Sequence, residues 1–159
     1  MTKNRFALTP ANLSVPIVYL SGPMENVSRE DALGWREVAT LYLKTNFDIH
    51  VAIPGTPGMS QEVGRCPYEA FDKDMQLMSL SKYVLVNLEK LDIPRNGTAM
   101  EIMHFRYHLG RPVIGFSDDV ARCMHHPFFA SLVNVFPTLE QAVKHIIALR
   151  LGEPVHAER

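Results

Sequence analysis

The sequence has 159 residues, of which 47% are hydrophobic and 21% are charged, with a formal net charge of -1. This length fits one domain with a buried core, and the composition indicates neither disorder nor a fibrous repeat. A nearly neutral chain argues against a protein whose main task is to neutralise the phosphates of a nucleic acid polymer.

The apolar runs have the length of a strand and fall short of the ~20 residues that a membrane span needs. The first residues do not form a signal peptide, and Cys66 and Cys123 belong to no Cys-x-x-Cys pattern, which fits reduced thiols. We therefore expect a soluble, cytoplasmic protein that does not bind membranes. Its predicted parts are a flexible N-terminal arm over residues 1–14, a single domain over residues 15–150 and a C-terminal tail over residues 151–159.

The first half of the chain alternates strand and helix patterns. Residues 15–20 are a short β-branched and aromatic run that predicts a buried strand, and the turn Ser21-Gly22-Pro23-Met24 follows it. Ser28 and Asp31 have the spacing of a capping box ahead of an apolar helical stripe. A second strand is predicted over residues 49–53, followed by a loop rich in Pro and Gly that extends to about Pro67.

The second half repeats the alternation. Helices are predicted over residues 68–80, from about 96 to 109, and over 138–149; strands are predicted over 83–88, 112–116 and 132–136; and a polar loop with histidines is predicted over 118–127. Gly110 is expected to end the helix before it. Such alternation predicts a five-stranded parallel sheet with helices on both faces, flavodoxin-like or Rossmann-like, with its site at the carboxyl ends of the strands.

Glu101 lies near the predicted start of the helix that follows the third strand. Free N–H groups and the helix dipole at such a position stabilise a carboxylate, so we expect Glu101 to be ionised and available as a nucleophile or base. An acid that only complements the dipole of its helix also fits this position.

Several classes of site lack their motifs. The turn at Ser21 has no Gly-x-Gly-x-x-Gly spacing, and the chain contains neither a Walker A loop nor a Gly-x-Ser-x-Gly elbow. Glu101, His104 and His108 supply only half of a di-iron pattern, whose second half is missing. We therefore expect no metal and no organic cofactor. For the histidines of His125-His126-Pro127, ligand contact and plain loop polarity both remain open.

Four stretches in register, within residues 15–116, resemble the nucleoside 2-deoxyribosyltransferase family: Tyr19-Leu20-Ser21-Gly22-Pro23-Met24, Asp74 ahead of the third strand, Gly97-Thr98-Ala99-Met100-Glu101-Ile102, and Gly110-Arg111-Pro112-Val113-Ile114. The resemblance implies that Glu101 attacks C1′ of a 2′-deoxynucleoside and forms a covalent glycosyl-enzyme, which a second base or water resolves. It also implies that Asp74 protonates or hydrogen-bonds the departing base and that Tyr19 helps to hold the nucleophile.

Candidate substrate-binding residues lie in the turn and around these three residues. They are Ser21, Gly22, Pro23 and Met24, then Asp72, and then Asp92, Arg95, Asn96, Gly97 and Thr98 of the loop and helix start before Glu101. For Asp72, a solvated helix surface is the alternative.

The chain departs from the family pattern six positions before the nucleophile, where the transferases have an acid near the 5′ end of the sugar and this chain has Arg95. A guanidinium there suits a 5′-phosphate. Family branches that hydrolyse nucleoside 5′-monophosphates make a nucleotide N-glycosidase the alternative, whereas Asp92 in the same loop could take the transferase's role.

Family members often complete their site with a residue from a neighbouring subunit, so we expect a homo-oligomer with a shared site, and the loop around His126 is the region expected to contribute. The third hypothesis is a nucleotide-binding module that kept the fold and lost the reaction. The presence of Glu101, Asp74 and Tyr19 together weighs against it, because a binding module needs no nucleophile.

Overall fold

The computed structural model describes residues 16–24, 27–54, 67–93 and 95–152. The predicted N-terminal arm, most of the loop between Ile53 and Pro67, Cys66, and most of the predicted C-terminal tail lie outside these residues.

The described residues form a five-stranded sheet in which every strand pairs in parallel with its neighbours. The strands are β1 (Ile17–Ser21), β2 (His50–Ala52), β3 (Tyr83–Asn87), β4 (Val113–Phe116) and β5 (Asn134–Phe136). Their order, β2-β1-β3-β4-β5, is the flavodoxin-like one. The predicted fold class is therefore confirmed.

Helices connect the strands and cover both faces of the sheet. They are α1 (Arg29–Phe47), α2 (Pro67–Leu80), α3 (Asn96–Met103), α4 (Val120–His125), α5 (Pro127–Leu132) and α6 (Leu139–Leu151). A π-helical turn, His104–His108, continues α3. The predicted cap of α1 is present, since the Asp31 N–H donates to the Ser28 hydroxyl at 3.0 Å. Gly110 follows the π-helical turn with φ of 61°, the left-handed conformation that favours glycine after a helix.

Each face of the sheet has its own apolar core. Successive residues of β1 point to opposite faces, so Tyr19 belongs to one core and Leu20 to the other. The core around Tyr19 includes Met78 of α2 and Ile102 of α3, whereas the core around Leu20 includes residues of α1 and Ile146 of α6. Tyr19 therefore points toward the side of the sheet that carries α2 and α3.

The order of the strands reverses between β1 and β3. The chain leaves β1 toward the edge strand β2, whereas it leaves β3 toward β4 on the other side. Loops diverge at such a switch point and leave a crevice beyond the carboxyl ends of the two strands. Ser21 pairs with Val86 in the register of β1 and β3, so both Ser21 and Asn87 lie at this edge.

The prediction of a polar loop over residues 118–127 is wrong, because the segment forms α4 and the start of α5. The Asp119 carboxylate caps α4 by accepting from the Arg122 N–H at 2.9 Å, and Pro127 occupies the first turn of α5. Leu132, predicted as strand, is the last residue of α5. Six-residue helices contain too few positions to show a helical period in the sequence.

Smaller differences concern the ends of elements. The second strand is shorter than predicted, and α6 continues to Leu151, inside the predicted tail. Among the described residues, no helix combines the length and the apolar character that crossing a membrane requires.

Candidate active site

Glu101 lies in the second turn of α3, which begins at Asn96 and has no acidic residue in its first turn. The free N–H groups of a helix belong to its first four residues. The expectation that a helix start ionises Glu101 is therefore wrong, and other groups determine the state of this carboxyl group.

Two hydroxyl groups from β1 hold the Glu101 carboxylate. Tyr19 and Ser21 are two residues apart on the strand and so point to the same face, toward α3. The Tyr19 hydroxyl donates to Oε1 at 2.7 Å, and the Ser21 hydroxyl donates to Oε2. Both residues are fully buried. Each carboxylate oxygen therefore has its own donor, which fixes the orientation of the group.

Opposing effects act on the pKa of Glu101. Burial raises it, while the hydrogen bonds from Ser21 and Tyr19 lower it; the nearby Asp74 raises it and Arg36 lowers it. The pKa lies above the ordinary glutamate value, because burial is the largest effect. The pKa of Tyr19 is raised far above its ordinary value by burial and by Glu101, so this hydroxyl stays protonated and acts as a donor.

A cavity of about 1010 Å³ opens beside Glu101, between α2, α3 and the α4–α5 pair. Glu101 and Asp74 both line it, and its other walls are mostly apolar, with contributions from Met75, Met78, Ile93, Phe129 and Leu132. A carboxylate fixed by two hydroxyls, beside a cavity that a second carboxylate also lines, has the parts that nucleophilic or acid–base chemistry at a sugar carbon needs.

The turn after β1 rests on a residue that sequence reasoning missed, the fully buried Arg36 of α1. Its guanidinium donates to the carbonyl of Leu20 at 3.4 Å, to that of Gly22 at 3.1 Å, and to that of Ala32. Its carbon Cζ lies 4.6 Å from the centre of the Trp35 ring. The sequence could have indicated that Arg36 is buried, because Arg36 stands four residues after Ala32 in the apolar stripe of α1.

The turn itself is tightly packed. A Cβ at Gly22 would lie 3.1 Å from Trp35 Cζ2 and 3.2 Å from the Cβ of Asn87, which leaves little room for a side chain. Pro23 is buried and Met24 is half-buried. None of the four turn residues lines the cavity, and Ser21 acts on the site through its hydrogen bond to Glu101.

Arg95 lines the cavity, but its guanidinium is engaged by the backbone. It donates to the carbonyls of Asn87 at 2.7 Å, of Lys90 at 2.9 Å and of Glu89. Burial lowers the pKa of Arg95. The side chain closes the loop between β3 and α3, and these contacts leave less of the guanidinium for a phosphate than the sequence implies.

Asp92 and the first residues of α3 lie in different surroundings from one another. The Asp92 carboxylate is 83% exposed and pairs at 2.6 Å with Arg122, which lines the cavity from α4. Asn96 and Gly97 also line the cavity, whereas Thr98 is buried beneath it. Of the binding residues predicted in this loop and helix start, some therefore line the cavity, Asp92 lies at its rim and Thr98 lies in the core.

Two further residues considered in the sequence, Asp72 and His125, also lie away from the cavity. Asp72 is exposed on α2 and does not line the cavity, because it lies two residues from Asp74 on another side of the helix. His125 is exposed, whereas the adjacent His126 lines the cavity. Cys123 is buried as a free thiol.

The rings of His104 and His108 stack at 5.4 Å in the cavity wall instead of pointing at a common centre. Within residues 16–24, 27–54, 67–93 and 95–152, no three His, Cys, Asp or Glu side chains form a group that could hold a metal ion.

Comparison with known proteins finds no matching family model and no matching curated protein. Solved structures do match. A 2-deoxyribosyltransferase from Leishmania mexicana is 17% identical, over 83% of this chain and 97% of its own, with a TM-score of 0.58. A 2-deoxyribosyltransferase from Bacillus psychrosaccharolyticus is 16% identical, over 80% of this chain and 90% of its own, with a TM-score of 0.56.

A conserved protein from Enterococcus faecalis is 14% identical, over 85% of this chain and 99% of its own, with a TM-score of 0.64. Each of these structures is covered along nearly its whole length, although little of the sequence is shared. This chain therefore has the fold of the 2-deoxyribosyltransferases, the family that its motifs resemble.

Proposed function

We propose that this protein is an enzyme that cleaves the N-glycosidic bond at C1′ of 2′-deoxynucleosides, or of their 5′-monophosphates, through a covalent ester with Glu101. The observation that carries the proposal is the Glu101 carboxylate held by Tyr19 and Ser21 beside a cavity that Asp74 also lines. The fold shared with solved 2-deoxyribosyltransferases supports it.

In the first step, one oxygen of the Glu101 carboxylate attacks C1′ while the C1′–N bond breaks and its electron pair leaves with the base. Such a reaction passes through an oxocarbenium-like state, which a nearby carboxylate stabilises. The Tyr19 and Ser21 hydroxyls hold the carboxylate in one orientation before the substrate arrives, which reduces the entropy that the reaction must overcome.

Asp74 provides the proton for the departing base, which then leaves as a neutral molecule. In the second step, a nitrogen of the incoming base attacks C1′ as the C1′–O bond to Glu101 breaks, and the electron pair of that bond restores the Glu101 carboxylate. The attacking nitrogen gives its proton to Asp74. If water replaces the second base, the same steps release a free sugar, and the enzyme is an N-glycosidase.

The contacts of Arg95 favour a nucleoside over a 5′-monophosphate. Three of the five N–H donors of its guanidinium bind backbone carbonyls, so at most two donors remain for a phosphate, and one of them is on the buried Nε. Arg122 also lines the cavity, but it is paired with Asp92. With Arg122 balanced by a carboxylate at the rim, this region suits a neutral 5′-hydroxyl better than a dianion.

The test incubates the protein with each 2′-deoxynucleoside and, separately, with its 5′-monophosphate, with and without a second free base, and follows the products by chromatography. A new nucleoside identifies transfer, whereas a free base with a free sugar or sugar phosphate identifies hydrolysis. Thermal stabilisation by these compounds without turnover would leave only a binding module.

Glu101→Gln should lower the rate at least ~10³-fold, because the nucleophile is lost and the shape is kept. The matched control is Glu140→Gln, the same change at an exposed acid of α6 that pairs with Lys144. We expect the control to retain full activity. Comparable turnover by the two variants would disprove the covalent mechanism.

A further inference from the structure

Arg36 belongs to α1, on the opposite side of the sheet from the cavity, and it is fully buried. Its contacts are three backbone carbonyls and the face of Trp35, none of which carries a negative charge. A buried cation without a compensating anion is expensive, so the position of this side chain requires an explanation.

Two of the three carbonyls flank Ser21. Leu20 precedes Ser21 and Gly22 follows it, and Arg36 donates to both, at 3.4 and 3.1 Å. The guanidinium therefore holds the backbone on each side of the residue whose hydroxyl binds Glu101 Oε2. Arg36 is also part of the tight packing around Gly22, since a Cβ at that glycine would lie 3.4 Å from Nη2 of Arg36.

Among the groups that act on the pKa of Arg36, the Glu101 carboxylate opposes the effect of burial most strongly. Burial lowers the pKa of Arg36 to about 10, and the Glu101 carboxylate acts in the opposite direction. Arg36 in turn lowers the pKa of Glu101. The interaction is not a direct ion pair, since the groups linked by short contacts are Arg36 to the turn and the turn to Glu101.

We propose that Arg36 is a positioning residue that holds Ser21 against Glu101 and supplies the buried positive charge that favours the carboxylate form of Glu101. Arg36 touches no substrate in this role, and the inference rests on the proposed function in so far as Glu101 is the nucleophile.

Other groups also face the Glu101 carboxyl group and must be held constant in a test. They are the hydroxyls of Tyr19 and Ser21 from β1 and the carboxylate of Asp74 from α2. The cavity wall adds His104, which follows Glu101 on the same helical segment, and Arg122 and His126 from the α4–α5 pair.

Two substitutions separate the charge of Arg36 from its hydrogen bonds. Arg36→Gln keeps donors for the carbonyls and removes the charge, whereas Arg36→Lys keeps the charge and loses the planar set of donors. The control is Arg150→Gln, which removes a partly buried contact between an arginine and a carbonyl, that of Phe47 at the end of α1.

The measurements are the pH dependence of kcat/KM, kcat and KM at the optimum, and the titration of Glu101 followed by ¹³C NMR of labelled glutamate, assigned with Glu101→Gln. In Arg36→Gln the acid limb and the NMR titration should both move to higher pH, because the favourable charge is gone. In Arg36→Lys both should move less than in Arg36→Gln, because the charge is kept and only the hold on Ser21 is weakened, while kcat falls on the order of tenfold with KM nearly unchanged. Arg150→Gln should change none of these quantities.

The outcomes separate this inference from the proposed function. An unchanged Glu101 titration in folded Arg36→Gln, or a shift in Arg36→Lys as large as that in Arg36→Gln, overturns the role of the charge even if the enzyme is active. The expected titrations in a protein that cleaves no nucleoside support the role of Arg36 and reject the proposed function. If Arg36→Gln does not fold, Arg36→Lys decides, since full kcat in that variant overturns the positioning role.

Discussion

The Glu101 carboxylate is stabilised by hydroxyl groups and destabilised by its own burial. Most of the acidic residues that the structure describes are exposed to solvent, whereas Glu101 lies between a buried strand and an apolar cavity. A carboxylate in such a place is a stronger base than one in water, and its hydrogen bonds keep it in a single orientation. The hydroxyls of Tyr19 and Ser21 therefore fix the geometry of the group and oppose the effect of burial on its ionisation.

Tyr19→Phe tests that control, because it removes a hydroxyl and keeps the ring, which packs against Phe105 at 5.8 Å between centroids. A hydrogen bond to a charged group is worth about 1.5–3 kcal/mol, so kcat/KM should fall roughly 10- to 100-fold. Loss of a bond that lowers the pKa of Glu101 should also move the acid limb of the pH profile to higher pH. Both effects are measured in one series of kcat/KM values against pH.

Ser21→Ala is the companion variant, since its hydroxyl binds the other oxygen of the same carboxylate. The double variant with Tyr19→Phe should show effects that do not add, because the two hydroxyls share one partner. A wild-type pH profile in both single variants would show that neither hydroxyl acts on a reacting carboxylate.

The loop between β3 and α3 is an element shaped by one side chain. Lys90 has a positive φ of 55°, which is unfavourable for a residue with a side chain, and the Arg95 guanidinium binds its carbonyl and those of Asn87 and Glu89. The loop brings Asn96 and Gly97 to the cavity, so its shape determines where α3, and with it Glu101, begins.

Arg95→Met should therefore act on the whole element. Three carbonyls lose their donor, and we expect destabilisation of about 1–3 kcal/mol in urea unfolding, with activity reduced to the same extent for a deoxynucleoside and for its 5′-monophosphate. The control is Arg122→Met, which removes an exposed partner of Asp92 and should leave the unfolding midpoint unchanged. A selective loss of activity on the monophosphate in Arg95→Met would show instead that Arg95 binds phosphate.

The elements also show how far the sequence predicts the structure. Buried strands and long helices were predictable, because runs such as Tyr83–Asn87 and the capped stripe after Ser28 are dictated by local composition and period. The short helices α4 and α5 and the π-helical turn were not predictable, since they contain too few residues to show a helical repeat of apolar positions in the sequence. The burial of Arg36 could have been inferred from its place in the apolar stripe of α1, but the carbonyls that Arg36 and Arg95 bind could not, because contacts with another segment depend on tertiary packing.

At the scale of the whole molecule, the site is a consequence of topology. Strands β1 and β3 are neighbours that are buried along their lengths, and their chain connections diverge at the switch point. Tyr19 and Ser21 meet Glu101, which is 82 and 80 positions further along the chain, because the sheet aligns the carboxyl ends of its parallel strands. The fold must therefore be stable enough to keep an acid buried at the junction of its layers.

This burial should be visible in the stability of the entire domain. The folded-state pKa of Glu101 is raised above the ordinary value, so the folded protein binds more protons than the unfolded chain at pH values between the two. The contribution of Glu101 to stability is thus fully present below its unfolded pKa and is lost as the pH rises through its folded pKa. Glu101→Gln lacks this titration. Its free energy of unfolding minus that of the wild type should therefore increase with pH through this window and then become constant.

Urea unfolding of both proteins at a series of pH values from 4 to 8 measures this difference, and Glu140→Gln corrects for the loss of a carboxylate in general. Glu140 is exposed and its pKa is lowered by Lys144, so the difference between that variant and the wild type should have the opposite dependence on pH. A stability difference for Glu101→Gln that is independent of pH would mean that the hydrogen bonds from Ser21 and Tyr19 only balance burial, and one that decreases as pH rises would mean that they outweigh it. In that case Glu101 would be a carboxylate stabilised by its site, and the acid limb of activity would lie below the ordinary glutamate pKa instead of above it.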